Sequence, residues 1–530
     1  MNTNIIFAAN NARRLIMIFY KVLSFTTGIS TLFLSDGCSS SDKKNDKELP
    51  NIIYVLADDL GYGDVSAFNK NGKIMTPNID RMASEGICFT DAHSSSSVST
   101  PTRYGILTGR YSWRSRLKQS VLDGYSDALI PEERTTVASV LKKHGYYTAF
   151  IGKWHLGWGW ARSENGISVD FSSPITNGPN DLGFDYGYGH SGSLDMAPYV
   201  YVENRMATEI PTDTTENTGK YSWWRKGITS KDFVHEDVTP NFFRRGIKLI
   251  EQRAQEKSPF FLYLALPSPH TPILPLEQWQ GKSGLNPYGD FVMMIDDYMG
   301  QLLEVIKKAG IEDNTLVIFT SDNGCSPEAQ FDELAEKGHF PSYIYRGHKA
   351  DIFEGGHRVP FIAKWPKKIK KGIISSEVIC TTDLMATCAE IAGYDLADNE
   401  GEDSYSMMPL FEHRVMKKPL REATIHHSIN GSFAIRKGDW KLIMCAGSGG
   451  WSFPRPEDKS VIDTLPEIQL YNLAENPGER KNLYATHPEK VEELRSLLKD
   501  YILNGRSTPG EAQNNDPYEN DWWQVLNILH

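Results

Sequence analysis

The stretch SVSTPTRYGILTGR, residues 97–110, places a hydroxyl at Ser99, a proline at Pro101 and a guanidinium at Arg103. Proline is favoured in the first turn of a helix, and Ser or Thr just before it. The pattern predicts that Ser99 stands at a helix N-terminus, where free N–H groups and the helix dipole favour an anion. Arg103, one turn on, would reach back to the same point. An ordinary capped helix has the same local pattern, so residues elsewhere must decide whether chemistry is intended.

Four other segments carry candidate groups: Asp58 and Asp59, Lys153 and His155, His270, and Asp322 with Asn323. Asp58, Asp59, Asp322 and Asn323 offer only oxygen ligands, and hard oxygen donors without imidazole or thiolate select Ca²⁺ or Mg²⁺ over zinc or copper. Three converging carboxylates need such a cation, because close like charges otherwise force protonation. Arg103, Lys153 and Lys349 would suit an anionic group bound beside it. Lys349 lies in YRGHKADIFEGGHRVPF, whose Gly355-Gly356 pair implies a tight backbone path. Taken singly, each has a plain structural explanation: an Asp pair as a turn or cap, a loop histidine, a solvated lysine. Their joint placement is what argues for a site.

The elements that must position them read clearly. NIIYVLADDLGYGD is apolar from Ile52 to Ala57 before Asp58; YYTAFIGKWHLG is apolar to Ile151 before Lys153 and His155. PFFLYLALPSPHTP is apolar to Leu266 before His270, and NTLVIFTSDNGCS is apolar to Phe319 before Asp322. Short continuous apolar runs predict strands buried on both faces, as in a parallel sheet. TPNIDRMASEG, TTVASVLKKHG (ending at a C′ glycine, Gly145) and GDFVMMIDDYMGQLLEVIKKAG predict helices between them. The alternation implies an α/β fold with a mostly parallel central sheet flanked by helices. All four polar clusters then fall beyond the carboxyl ends of strands, where such sheets bind ligands.

The chain has 530 residues, enough for a large core and more than one domain. Its net charge of −11 argues against nucleic-acid binding, which needs a basic face. From Met17, a basic residue, an apolar run, Ser-Asp-Gly-Cys and a polar tail have the layout of a secretory signal. Cys38 after small residues resembles a bacterial lipoprotein cleavage site, although Asp36 is awkward there. Lys21 and several Thr and Ser interrupt the apolar run and argue against a spanning helix. Residues 1–16 are read as preceding the true start. The expectation is export to the periplasm, or a lipid anchor at Cys38 in the outer membrane. With Cys38 lipidated, five cysteines remain, an odd number that cannot all pair and that forms no zinc pattern.

The motifs PNIIYVLADDLGYGD, TPNIDRMASEG, STPTRYGILTGR, GKWHLG, SPHTP, SDNG and GHKADIFEGGHRVP occur in this order. Together they resemble the type I, formylglycine-dependent sulfatases of the alkaline phosphatase superfamily, over roughly residues 49–500. The serine-type motif of that family, S-x-P-x-R, is matched by Ser99-Thr100-Pro101-Thr102-Arg103. The resemblance implies that Ser99 is oxidised to formylglycine by a serine-type anaerobic maturing enzyme acting before export. One hydroxyl of the hydrated aldehyde would attack sulfur and displace the alcohol, and the second would then be deprotonated to expel sulfate. It also implies that Asp58, Asp59, Asp322, Asn323 and modified Ser99 bind the cation, Ca²⁺ in preference to Mg²⁺. Arg103 and Lys153 would hold the formylglycine, His155 would be the base for sulfate elimination, and His270 and Lys349 would bind sulfate and assist the leaving alcohol.

Three regions are predicted: a leader and linker (1–48), a catalytic domain (49–415) and a C-terminal α+β subdomain (416–530). In the last, ATIHHSINGSFAIRKGDWKLIM alternates like antiparallel strands around a Gly-Asp turn, HPEKVEELRSLLKDYI reads as an amphipathic helix, and PGEAQNNDPYENDWW reads as a tail. The expected substrate is a sulfated sugar of glycosaminoglycan, mucin-type or galactan origin, a galactose-type sugar first. The aromatics Trp154, Trp158, Trp160, Trp223 and Trp224 would offer stacking faces, and Asp195, His426 and His427 would read sugar hydroxyls. Two other readings stand beside this one: a phosphodiesterase or phosphonate hydrolase of the same superfamily, and a non-catalytic glycan-binding lipoprotein on the same scaffold.

Overall fold

The computed structural model describes residues 48–164, 166, 168–517 and 522–529. The signal, the lipidation site at Cys38 and nearly all of the predicted leader lie outside them. The four apolar runs form strands at Asn51–Asp58, Tyr147–Lys153, Phe260–Pro269 and Thr315–Ser321, buried along almost their whole length. They lie side by side in a ten-stranded sheet. Asn51–Asp58 pairs in parallel with Thr315–Ser321 on one side and Phe260–Pro269 on the other, and Phe260–Pro269 pairs in parallel with Tyr147–Lys153. Tyr186–His190 extends the parallel set, while Phe361–Lys364 joins Thr315–Ser321 antiparallel.

Alternate residues of these strands face two separate apolar layers, as the two-residue period of a strand requires. Ile52, Tyr54 and Leu56 pack with Tyr104 and Leu107 of the Ser99–Thr108 helix and Val137 and Leu141 of the Val137–Lys143 helix. Ile53 and Val55 face Phe242 and Phe243 of Val238–Arg253 and Met294 and Met299 of Pro287–Lys308. Helix ends follow local chemistry. Thr136 Oγ1 accepts from Ser139 N at 3.1 Å, and Asn286 Oδ1 accepts from Tyr288 N at 3.2 Å. Gly145 takes φ 87°, the left-handed conformation expected just past a helix end.

A second sheet of four antiparallel strands runs Thr424–His427, Phe433–Lys437, Trp440–Ile443, Gln469–Asn472, covered by the Pro488–Leu503 helix. Its fourth strand is not among those read from sequence. The predicted tail is also no tail over its described residues. Trp522, Val525 and Ile528 are buried with Trp113, Phe433 and Leu498, and Asp516 pairs with Arg110 at 3.1 Å. Leu49–His530 forms one compact unit that includes both sheets. Among the described residues no helix is long and apolar enough to cross a membrane, and Cys88, Cys325, Cys380, Cys388 and Cys445 are unpaired.

Candidate active site

The parallel register brings the first cluster together. Asp322 N donates to Ala57 O at 3.1 Å, Asp59 N donates to Asp322 Oδ1 at 3.2 Å and Leu60 N to Ser321 Oγ at 3.0 Å. Asp59 turns off its strand with φ 63°, and His155 and Ala350 also take positive φ, at 55° and 79°. Such backbone is costly for non-glycine residues and concentrates at functional sites.

Ser99 differs slightly from expectation. It is the first residue of the buried Ser99–Thr108 helix, whose N-cap is Val98, and its side chain caps nothing. Instead Ser99 Oγ donates to Asp58 Oδ1 at 3.3 Å and accepts from Lys153 Nζ at 3.3 Å. Lys153 Nζ also donates to Asp58 Oδ2 at 2.5 Å. Arg103, fully buried, donates from Nε and NH2 to Asp322 Oδ2 at 3.1 and 2.8 Å, and from NH1 to Lys153 O at 3.1 Å. Lys349 Nζ donates to Asp59 Oδ2 at 2.7 Å, with His270 Nε2 3.7 Å from the same oxygen. Asn323 Nδ2 donates to Asp59 Oδ1 at 2.7 Å. Ser99, Arg103, Lys153, His270, Lys349, Asp58, Asp59, Asp322 and Asn323 thus converge on one point.

Glycines allow the approach. A Cβ on Gly324 would lie 1.9 Å from Gly355 O, and one on Gly355 would lie 2.2 Å from Gly347 O. The segments carrying Asn323 and Lys349 meet backbone to backbone.

The charges are balanced in pairs. Burial pushes the Asp58 carboxyl up, yet Lys153, with His270, Arg103 and Lys349, outweighs it and holds Asp58 well below the usual carboxylate range. Asp322 moves the other way, raised by burial and by the Asp58 charge beside it. Burial lowers Lys153, while Lys349 is raised against burial by Asp59 and Asp58. The donors fit a divalent cation. Asn323 Oδ1 is buried with no hydrogen-bond partner, the kind of orphaned oxygen a hard cation satisfies, and it sits among three carboxylates. A ring nitrogen of His270 also lies within 4.8 Å of carboxylate oxygens of Asp58 and Asp59.

His155 is pushed well below the ordinary histidine range by burial, then by Lys153 and Arg103. Its Nε2 lies 2.7 Å from Leu122 O, a partner that only an N–H can satisfy, so Nδ1 carries the lone pair; Nδ1 is buried without a partner. The neutral ring therefore has a fixed tautomer, with Nδ1 as its free acceptor.

The proposed sugar-reading residues separate. Asp195 is buried and ion-paired with Arg225, its Oδ1 left without a partner. It lies just past Ser191, whose carbonyl accepts from His155 N at 3.0 Å. His426 and His427 do not join the site. His426 is fully buried, stacked on His357 at 3.8 Å, with Nδ1 3.2 Å from Ser94 O. His427 is enclosed beside Phe433, and burial lowers it to about 3. Trp154, Trp158 and Trp160 are core residues too, and Trp224 is buried against His235; Trp223 alone of the five is half-buried, near Arg225.

His93, His357 and His426 form a second cluster of close ring nitrogens. His93 Nδ1 and His357 Nδ1 share a hydrogen bond at 3.0 Å, and Arg436 NH1 and Lys441 Nζ lie 3.0 Å from His93 Nε2 and His357 Nε2. Two fixed cations and mutual hydrogen bonds make this a structural seam, not a metal centre. Sequence reading missed Trp451, whose ring lies 5.9 Å from Lys349 Nζ and is 42% exposed. Its Gly-rich surroundings, GSGGWSFP, are the only signal for it.

Comparison with known proteins places this geometry. The Sulfatase family model matches residues 50–394. The N-acetylgalactosamine-6-O-sulfatase of Bacteroides thetaiotaomicron is 32% identical over 90% of this chain and 98% of its own. Human arylsulfatase A is 30% identical over 88% and 90%. A solved sulfatase structure from work on glycosaminoglycan metabolism by Bacteroides thetaiotaomicron superposes with TM-score 0.73 at 31% identity, covering 86% of this chain and 99% of its own. With the family's motifs converged on Ser99, the chain belongs to the sulfatase family and is a sulfuric ester hydrolase of alkaline phosphatase-like fold.

Proposed function

We propose that this sulfatase releases sulfate from a sulfated sugar, of galactose type and near the end of a glycan chain, after Ser99 has been oxidised to formylglycine. The observation that carries the reading is Ser99 Oγ, 3.3 Å from both an Asp58 oxygen and the Lys153 ammonium. The likeness to an N-acetylgalactosamine-6-O-sulfatase supports a sugar 6-sulfate. Serine is a poor nucleophile unless activated; a hydrated aldehyde at position 99 would supply a hydroxyl, and a divalent cation held there would lower its pKa.

The chain's own residues do the rest. Asp58, Asp59, Asp322 and Asn323 would hold the cation, and an all-protein oxygen set of this kind suits Ca²⁺ better than the more strongly hydrated Mg²⁺. Lys153 and Arg103 hold position 99 and its developing charge through donors fixed before the reaction. His155 Nδ1 accepts the proton when sulfate leaves. His270 and Lys349, on the outer side of Asp59, bind the sulfate oxygens and donate toward the departing alcohol. Maturation would come from a serine-type anaerobic enzyme, followed by export to the periplasm or to a lipid anchor at Cys38. A panel of sulfated mono- and disaccharides, varied in sugar and sulfate position, tests the substrate. Turnover of aryl sulfates with none of any sugar would refute it.

A further inference from the structure

Beside His348, the residue before Lys349, the surface opens into a cleft of about 410 Å³, within the range of small-molecule sites. Its lining includes Phe340, Tyr343 and Phe453 together with Arg346, His348 and Arg480. The described residues expose six large aromatics: Tyr125, Phe340, Tyr343, Trp451, Phe453 and Trp523. Three of these line the cleft and Trp451 directly precedes Ser452, which also lines it, so the clustering is not that of stray surface residues.

Two chain segments run from the cleft to the catalytic centre. His348 lines it while Lys349, the next residue, reaches Asp59. Trp451 N and Ser452 N both donate to Asp351 Oδ1, at 2.8 and 2.9 Å, and Ile352 N donates to Ser448 O at 2.9 Å. Those bonds tie the Trp451 loop to the segment carrying Lys349. Trp451 faces the Lys349 ammonium, and Phe453, two residues on, faces the cleft.

Charge points the same way. Arg346 donates to the Glu479 carbonyl at 3.0 Å and lies over Phe353 at 3.8 Å; neither it nor Arg480 has a carboxylate partner among the described residues. One carboxylate, Asp332, shares the lining. Two uncompensated guanidiniums beside exposed aromatic faces, in a chain of net charge −11, suit an anion carried on a ring.

We infer that this cleft is a saccharide subsite. It binds the sugar next to the sulfated one, on the side of the departing alcohol, and favours a neighbour bearing a carboxylate or second sulfate. The inference rests on the proposed sugar substrate.

Binding to the unmatured Ser99 protein, read by tryptophan fluorescence, tests it without any turnover. The probes are a 6-sulfated N-acetylgalactosamine monosaccharide and an oligosaccharide that joins this sugar to a uronic acid. The oligosaccharide is expected to bind at least about tenfold tighter, an advantage lost in Arg480→Ala and in Phe453→Ala, both exposed and outside the catalytic cluster. Equal affinity for the two probes, or variants that keep the advantage, would overturn the subsite. Failure of the substrate reading shows separately, as matured enzyme that releases sulfate from no sugar.

Discussion

Ser99 Oγ donates its hydrogen bond to Asp58 Oδ1, on another element, and accepts none from the amides of the helix that Ser99 begins. The hydroxyl therefore belongs to the site and contributes little to helix capping.

Ser99→Ala should abolish sulfate release while costing about 1 kcal/mol or less of stability, the scale of one hydrogen bond. Thermal unfolding and activity assays on the same preparation separate the two. A parallel loss of stability would return Ser99 to a structural role.

Chelation should remove activity from matured enzyme, and added Ca²⁺ should restore it. The donors at Asp58, Asp59, Asp322 and Asn323 are oxygens, and the buried Asn323 Oδ1, without a hydrogen-bond partner, suits a hard cation. Restoration by Zn²⁺ alone would contradict this assignment.

Acid should loosen the seam where His93, His357 and His426 meet. Burial is the first cause lowering all three, and for His426 the neighbouring His93 and Lys441 add to it against Glu354. An imidazole kept neutral in the fold takes up a proton on unfolding below about pH 6.5. Its stabilising contribution is complete above that pH and declines as pH falls below it, by about 1.4 kcal/mol per pH unit for each ring. His426→Phe retains the stack on His357 and should flatten the acid limb of stability against pH by one proton. Denaturant melts between pH 7 and 5 measure that slope; an unchanged slope would show that His426 titrates alike folded and unfolded.

Gly324→Ala places a methyl 1.9 Å from Gly355 O and must part the segments that carry Asn323 and Lys349. The expected cost is about 1–3 kcal/mol, with activity falling more steeply than stability. Wild-type turnover in this variant would mean that the close approach does not set the site's geometry.

Much of this was legible in the sequence for a physical reason. A strand buried on both faces must be apolar throughout, so the four central strands announced themselves, and the polar residues ending them stood out. Long-range placement was not legible. His426 and His427 stand side by side in a strand whose surroundings the sequence does not reveal: one stacks on His357 and the other packs on Phe433. Trp154, Trp158 and Trp160 follow a catalytic strand yet turn into the core. The Gln469–Asn472 strand is four residues long with one buried aliphatic, too short for a pattern. Trp451 owes its position to hydrogen bonds with Asp351, a hundred residues away, which no local spacing reveals.

The central claim is that Ser99 is the residue converted for catalysis. Mass spectrometry of the peptide ending at Arg103, from protein made alongside a serine-type maturing enzyme, tests it most directly. The account predicts a loss of two hydrogens located at Ser99, rising in proportion with the rate of sulfate release. Full sulfatase activity from protein whose Ser99 is entirely unmodified would contradict it.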